Sequence, residues 1–243
     1  MPDDQTEMIL REQICDIGRM MHQFRYIDGT AGNITARLDS DRLLATPSGL
    51  AKGFMTPDQL IVIDHEGKRV DDPTPANAHL KPTSEVLMHL ECYRQRPDVG
   101  GVVHAHPPTA IALTIAGYDF QQCLIPEMVV LLGMIPVTPY ATPSGVENRE
   151  AITDLIREHD AILLAHHGSL TVAESVWDAY LLLETLEHSA MILHRVEQIG
   201  GPRSSIPPDK LHHLLDIRQN LGLDRPGDAA RFAPFLSVDD NSA

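Results

Sequence analysis

The sequence predicts an α/β or α+β protein built on one central sheet, and three observations carry that expectation. Short β-branched segments alternate with segments of helical period; no early glycine fingerprint of a dinucleotide fold is present; and no internal repeat is visible. The 243 residues exceed the usual size of one domain, yet α/β folds of this length form a single core. One domain is therefore expected over 1–223, followed by an Asp-, Pro- and Ala-rich tail over 224–243 that is either poorly ordered or laid on a neighbouring subunit.

The elements follow in chain order. "MPDDQTEMILREQICDIGRMM" reads as an amphipathic helix and lacks the basic, apolar and small-residue succession of a secretory signal, so cytoplasmic residence is expected. "GTAGNITARL" (29–38) and "DRLLATPSG" (41–49) read as two strands joined by a turn, and "LIVIDHEGK" (60–68) as a third. "TSEVLMHLECYRQR" (83–96) carries apolar residues at 86, 87, 90 and 93 behind a proline, which predicts a helix starting at Thr83 or Ser84. The strand "GGVVHAH" comes next, then "PPTAIALTIAG" (107–117), a short buried helix opened by prolines and closed by glycine. "VVLLGMIPVTPYATPSG" (129–145) predicts one or two strands broken by proline, and "GVENREAITDLIREHD" (145–160) a surface helix. "AILLAHHGSLTVA" (161–173) suits an inner strand, 174–200 is the longest helical pattern, and a last helix is expected at 208–221.

Composition narrows the function. A hydrophobic share of 43% is ordinary for a globular protein, and no stretch reaches the roughly 20 apolar residues that a bilayer span needs, so no membrane role is expected. A net charge of −15 disfavours nucleic acid as a partner, because such binding rests on Lys and Arg neutralising phosphates. A single phosphate group stays possible, since backbone N–H groups and hydroxyls hold one without a basic surface. Cys15, Cys92 and Cys123 are odd in number and set among apolar neighbours, as reduced core thiols are.

The chemistry begins with "HAH". Residues two apart on a strand share a face with Cα atoms roughly 6.6 Å apart, so His104 and His106 can aim both rings at one point. Thirteen histidines in the chain produce some close pairs by accident, and two satisfied polar side chains are the alternative. Against it stand "VV" before the pair, which buries the strand, and "PP" after it, which ends the strand at an edge where sites form. A catalytic zinc takes three protein ligands and an open position. "LLAHHGS" offers the third: His166 and His167 face opposite sides of a strand, and Gly168 tips the choice toward His167, with a core histidine beside an exposed one as the other reading.

Glu85 falls just past the predicted helix start, where a carboxylate is favoured by the dipole and is commonplace as a capping residue. Its neighbours make it a candidate: Thr83 and Ser84 bring hydroxyls and N–H groups suited to phosphate, and "GN" at 32–33 and "TPSG" at 46–49 are two further small-residue turns.

Taken together, "GTAGNIT", "TPSG", "PTSE", "VVHAHPP", "PYAT" and "LLAHHG", in this order and spacing, resemble the class II aldolase/adducin family, in particular its L-fuculose-1-phosphate aldolase type, over about residues 12 to 200. The resemblance implies a three-layer α/β sandwich around a mainly antiparallel sheet, assembled as a homotetramer with sites between subunits. It implies His104, His106 and His167 as ligands of Zn2+, or of another divalent metal such as Mn2+, and Glu85 as the acid/base. Asn33, Ser48, Gly49, Thr83 and Ser84, with Gly32 beside them, fall where such aldolases grip the phosphate of dihydroxyacetone phosphate.

The implied activity is cleavage of a sugar phosphate to dihydroxyacetone phosphate and an aldehyde through a zinc-stabilised enediolate. One departure stands out. Where the fuculose-phosphate type carries a tyrosine before "PYAT", this chain has Pro126 and Glu127, and Glu127 is the candidate second acid/base, from its own or a neighbouring subunit. The family also runs epimerisation, dehydration and decarboxylation on this scaffold, so fold and metal do not name the reaction. Glu85 in place of the epimerase's Asp favours the aldolase; decarboxylation or dehydration is the alternative, and a non-catalytic adducin-like scaffold, which lacks the histidines, is the third.

Overall fold

A computed structural model describes residues 4–236. Helix α1 (Asp4–Gln23) leads into strands β1 (Asn33–Arg37), β2 (Arg42–Ala45) and β3 (Ile61–Asp64). Helix α2 (Val86–Gln95), strand β4 (Gly101–Ala105) and helix α3 (Pro108–Ile115) follow, then α4 (Val146–Thr153), β5 (Ala161–Leu164) and β6 (Gly168–Ala173). The long helix α5 (Val176–Gln198), α6 (Pro208–Asn220) and α7 (Asp228–Leu236) complete the described chain.

The six strands form one sheet in the order β3-β2-β1-β4-β6-β5, every pairing antiparallel. Alternation along the strands divides the core. Ile34, Ala36, Leu44, Val62, Val103 and Ala105 pack with Ile14, Ile17 and Met21 of α1 and Ala179 and Leu183 of α5. Leu43, Ala45, Ile61, Ile63, Val102 and Leu170 face the other way, toward Met88, Cys92 and Tyr93 of α2 and Ile152 of α4. Helices thus cover both faces, which is the expected three-layer sandwich. All three cysteines are buried and free.

The glycine pair that opens β4 has a packing cause. A Cβ on Gly101 would lie 2.2 Å from the Cα of Val176, so α5 can start across this strand only where no side chain intervenes. Ser175 caps α5 by accepting a hydrogen bond from the Asp178 N–H.

Several boundaries differ from the sequence expectation. Residues 161–173 are two strands, not one inner strand: the chain reverses at 165–167, with His166 at φ 60°, and β5 is an edge of the sheet. This reversal contains no Gly, Pro or Asn before Gly168, so no turn signal marks it. The strands expected over 129–145 are absent. A π-helical turn spans Met128–Leu132 and ends at Gly133, and the chain then touches β5 through the bridge Val137↔Leu163. Pro136 and Pro139 have no N–H to give a longer ladder. Helix α2 starts at Val86, behind Glu85 and not at Thr83 or Ser84. The surface helix expected over 145–160 is α4 plus a 3-10 turn, Leu155–Arg157, and it buries Asn148, Ile152 and Ile156.

Of the tail from Asp224 onward, the part up to Leu236 folds against its own chain. Phe232 of α7 joins Cys123, Val129, Met134 and Leu211 in a small core. Arg225 bonds the buried Asp160 at 2.8 Å, and Arg96 reaches the same carboxylate at 3.1 Å. Residues 237–243 lie outside the described residues, as do 1–3 of the N-terminal segment. Among the described residues no helix is long and apolar enough to cross a membrane.

Candidate metal centre

The site is built where β1, β4 and β6 run side by side under the start of α2. Register sets Asn33 opposite His104, and His104 opposite Leu170 on β6. His104 shares its face with Val102, which points toward α2, and His106 continues that face just past the strand end. The His104 and His106 rings lie 5.0 Å apart at their centroids.

The third imidazole comes from the β5–β6 turn. His167 stands 4.8 Å from the His104 ring and 4.9 Å from the His106 ring. Its neighbour His166 is exposed and instead meets the Tyr140 ring edge-on at 6.1 Å. The turn, and not strand alternation, separates the two. Gly168 makes the approach possible: a Cβ there would lie 2.3 Å from the Ala105 carbonyl oxygen and 3.0 Å from His104 Cε1.

Glu85 closes the group from above. Its Oε2 lies 3.1 Å from His104 Nε2 and its Oε1 3.5 Å from His167 Nε2, while Asn33 Nδ2 donates to Oε2 at 2.9 Å. The donor atoms of Glu85, His104, His106 and His167 all lie within 4.8 Å of one another.

Several atoms in this cluster call for a cation. Nε2 of His104 and of His106 face each other at 3.1 Å. Glu85 Oε1 is buried with no hydrogen-bond partner, 3.5 Å from His167 Nε2. His104 Nδ1 donates to the Ser169 carbonyl at 2.8 Å, which turns Nε2 inward, the orienting bond that metal-ligating histidines usually have. Burial, helped by the neighbouring His104 ring, lowers His106 to about 3 and His167 to about 4, so both rings are neutral near pH 7. For Glu85 burial acts upward, but the neighbouring His104 and His167 rings and the Asn33 N–H outweigh it and lower the carboxyl. Three imidazoles and a carboxylate whose donor atoms converge within 4.8 Å fit a divalent transition metal such as zinc.

The phosphate candidates divide into two groups. Ser48, Gly49 and Ser84 are exposed on adjoining turns, which the bridge Pro47↔Pro82 holds together. Thr83 is buried, its hydroxyl accepting from the Glu85 N–H at 3.4 Å. Gly32, at φ 72°, and Asn33 lie deeper. The Asn33 amide is engaged by Glu85 and by His89. Glu127 is exposed at the start of the π-helical turn and does not belong to the histidine cluster of this chain.

Four neighbours of the site were not among the sequence candidates. His89 Nδ1 bonds the Thr35 hydroxyl at 2.8 Å, and Thr35 bonds the Tyr93 hydroxyl at 3.0 Å. Lys52 is 2% exposed, with Nζ donating to the Thr30 carbonyl at 2.7 Å. Burial lowers its amine to about 8, against the pull of Glu85. The stripe Glu85, His89, Tyr93 repeats every four residues on the inward face of α2, and that spacing was the available signal for two of the four.

A six-stranded antiparallel sandwich carrying three histidines and a glutamate that could hold a metal ion defines a class of α/β domain. The chain belongs to a family within it: the model of the class II aldolase and adducin N-terminal domain matches residues 12–194. A 3-oxo-tetronate 4-phosphate decarboxylase of Cupriavidus necator is 32% identical over 220 residues, 88% of this chain and 98% of that one. A 5-methylthioribulose-1-phosphate/5-deoxyribulose-1-phosphate aldolase of Escherichia coli is 32% identical over 203 residues, 77% of this chain and 91% of that one. The crystal structure of YgbL from Escherichia coli superposes with a TM-score of 0.76 at 29% identity, covering 86% of this chain and 99% of that one.

Proposed function

We propose that the chain is a metal-dependent carbon–carbon lyase that decarboxylates a phosphorylated 3-oxo sugar acid, yielding dihydroxyacetone phosphate through its enediolate. The observation that carries this reading is the single carboxylate, Glu85, which meets the three imidazoles from the start of α2. Zinc, or manganese in its place, held by His104, His106 and His167 would act as an electrophile toward the oxygens on which negative charge develops.

The electron count shows why one carboxylate suffices. In a 3-oxo acid the electrons of the bond to the carboxyl carbon pass into the new carbon–carbon double bond, and carbon dioxide leaves without a proton. One proton must then reach the carbon that lost the carboxylate, and Glu85, ionised at rest, would take it up from water and pass it on. Aldol cleavage of a ketose 1-phosphate produces the same enediolate but must also remove a proton from the hydroxyl that becomes the aldehyde. That second task needs a further base. The similarity to aldolases at equal identity keeps this as the second reading, with Glu127 of a neighbouring subunit in a homotetramer as the base. Ser48, Gly49, Thr83 and Ser84, with Gly32 and Asn33 below them, form the phosphate seat in either case. A cytoplasmic enzyme of sugar-phosphate metabolism fits both.

The test has two parts. Dihydroxyacetone phosphate in deuterated water, followed by NMR, should exchange one C3 hydrogen without any added aldehyde. 3-oxo-tetronate 4-phosphate should release carbon dioxide faster than 5-deoxyribulose 1-phosphate releases its aldehyde. Exchange with aldehyde release alone assigns the aldolase reading, and the absence of both activities from metal-loaded protein removes the lyase reading. If aldol cleavage occurs, Glu127→Gln should abolish it and leave the exchange intact. Full turnover of Glu127→Gln with every substrate ends its role.

A further inference from the structure

We propose that Tyr93, Thr35 and His89 form a one-way hydrogen-bond chain that fixes the Asn33 amide with its N–H toward Glu85. His89 and Thr35 are then positioning residues for the acid/base carboxylate. The kinetic arm of its test rests on the lyase reading above.

The links are continuous and buried. Tyr93 meets Thr35 at 3.0 Å, Thr35 meets His89 Nδ1 at 2.8 Å, His89 Nε2 meets Asn33 Oδ1, and Asn33 Nδ2 meets Glu85 Oε2 at 2.9 Å. Thr35 and His89 are 0% exposed, Asn33 3% and Tyr93 4%, so water cannot replace a missing partner.

Direction follows from what each group can donate. Asn33 turns its NH2 toward Glu85 Oε2 and its Oδ1 toward His89 Nε2, and an amide oxygen only accepts. His89 Nε2 must then carry the proton. Burial lowers His89 to about 3, so the ring is neutral and Nδ1 is bare. A bare Nδ1 accepts from the Thr35 hydroxyl, whose own oxygen accepts from Tyr93. Tyr93 stays a donor because burial raises its phenol. The reverse polarity would leave the Tyr93 O–H aimed at nothing among the described residues. One polarity therefore satisfies every member, which is the condition under which a buried polar network specifies a single arrangement.

The consequence falls on the two oxygens of Glu85. Oε2 is tied to Asn33 and His104, while Oε1, 3.5 Å from His167 Nε2, has no hydrogen-bond partner and is the freer oxygen of the carboxylate.

The experiment compares wild type with Thr35→Val, which keeps the volume and removes the donor to His89, and with Thr35→Ser, which restores it. In the C3 exchange of dihydroxyacetone phosphate, Thr35→Val should lower kcat about 10- to 100-fold, with KM within about threefold and metal content unchanged. Thr35→Ser should recover most of the rate. Wild-type kcat in Thr35→Val, or a loss carried only by KM or by metal content, overturns the proposal. In parallel, 15N NMR of histidine-labelled wild type should show His89 neutral and protonated on Nε2 between about pH 5 and pH 8. A proton on Nδ1 overturns the proposal. That measurement needs no variant and no turnover, so it decides the question even if Thr35→Val does not fold. A wild type that fails to exchange, with His89 protonated on Nε2, rejects the lyase reading and leaves the chain standing.

Discussion

Asn33 on β1 and Glu85 ahead of α2, separated by 52 positions in sequence, share a buried hydrogen bond of 2.9 Å between Nδ2 and Oε2. It joins the layer of strands to the layer of helices at the point where the histidines converge. Because Asn33 is the register partner of His104, the same pairing that builds the sheet also aligns the carboxylate with the imidazoles.

Removal of a ligand should be visible without any substrate. His167→Ala takes one of three imidazoles from the cluster, and loss even of an outer partner to a metal ligand costs about 10- to 100-fold in affinity. Metal analysis of protein purified without added zinc should show about one ion per wild-type chain and far less in the variant. Equal content in the two would remove His167 from the ligand set.

Chelation should lower stability as well as activity. An ion present at about 100 times its dissociation constant stabilises the fold by about 2.7 kcal/mol. Dialysis against chelator should therefore lower Tm by several degrees, and added zinc should restore it. A Tm indifferent to chelator would argue for the non-catalytic scaffold.

Gly168→Ala tests the close approach of the turn to β4. The new methyl would lie 2.3 Å from the Ala105 oxygen, a contact that only movement of the backbone can relieve, and 3.1 Å from His106 Cδ2. Overpacking of this kind costs about 1–3 kcal/mol. Denaturant titration should show that loss together with weakened metal binding; unchanged values in both would mean the turn is loose.

Acid should destabilise the metal-free protein steeply. His89 is lowered to about 3, His106 to about 3 and His167 to about 4, against an ordinary 6.5. Above that value both the folded and the unfolded chain carry these rings neutral, and stability is flat. Below it the unfolded chain binds protons that the folded chain refuses, so stability falls with pH until the folded values are reached. A ring so lowered costs about 3 kcal/mol by pH 4. Urea midpoints measured at pH 7, 6 and 5 should fall in that order, and a midpoint unchanged from pH 7 to pH 5 would contradict the burial of these rings.

Asp160→Ala should release the C-terminal segment. The carboxylate is 4% exposed and carries both Arg96 and Arg225; Arg96 keeps Asp98 when it is lost, but Arg225 loses its carboxylate, a change of no more than about 3 kcal/mol. Limited proteolysis should then cut near 224–228 sooner than in wild type, with cleavage at wild-type rates counting against the anchoring role.

The sequence made the proposed ligands easier to read than the groups that hold them. His104 and His106 announce themselves because a spacing of two is a strand's own period. His167 was reached through alternation along a strand, although residues 165–167 form a turn in which His166 takes a positive φ. A turn without glycine, proline or asparagine at its reversal leaves no mark on composition. Glu85 was legible from the helix start, but His89 and Tyr93 read as ordinary helix residues until β1 is placed beneath them. Thr35 and Asn33 become their partners only through the register of β1 with β4, and register is set by three-dimensional pairing. Lys52 was invisible for a related reason: its charge is unusual only once it is known to be buried.

The strand order has a bearing on how this protein opens. The ligand-bearing and carboxylate-aligning residues sit on or beside β1, β4 and β6, the inner strands, while β3 and β5 are the edges. Edges fray at lower free energy than inner strands. Amide hydrogens of His104, Val103 and Ile34 should consequently outlast those of the edge strands in exchange with heavy water. Partial opening can then loosen the rim while the centre that gathers charge stays assembled, so the sheet itself acts as a reserve of order for the chemistry.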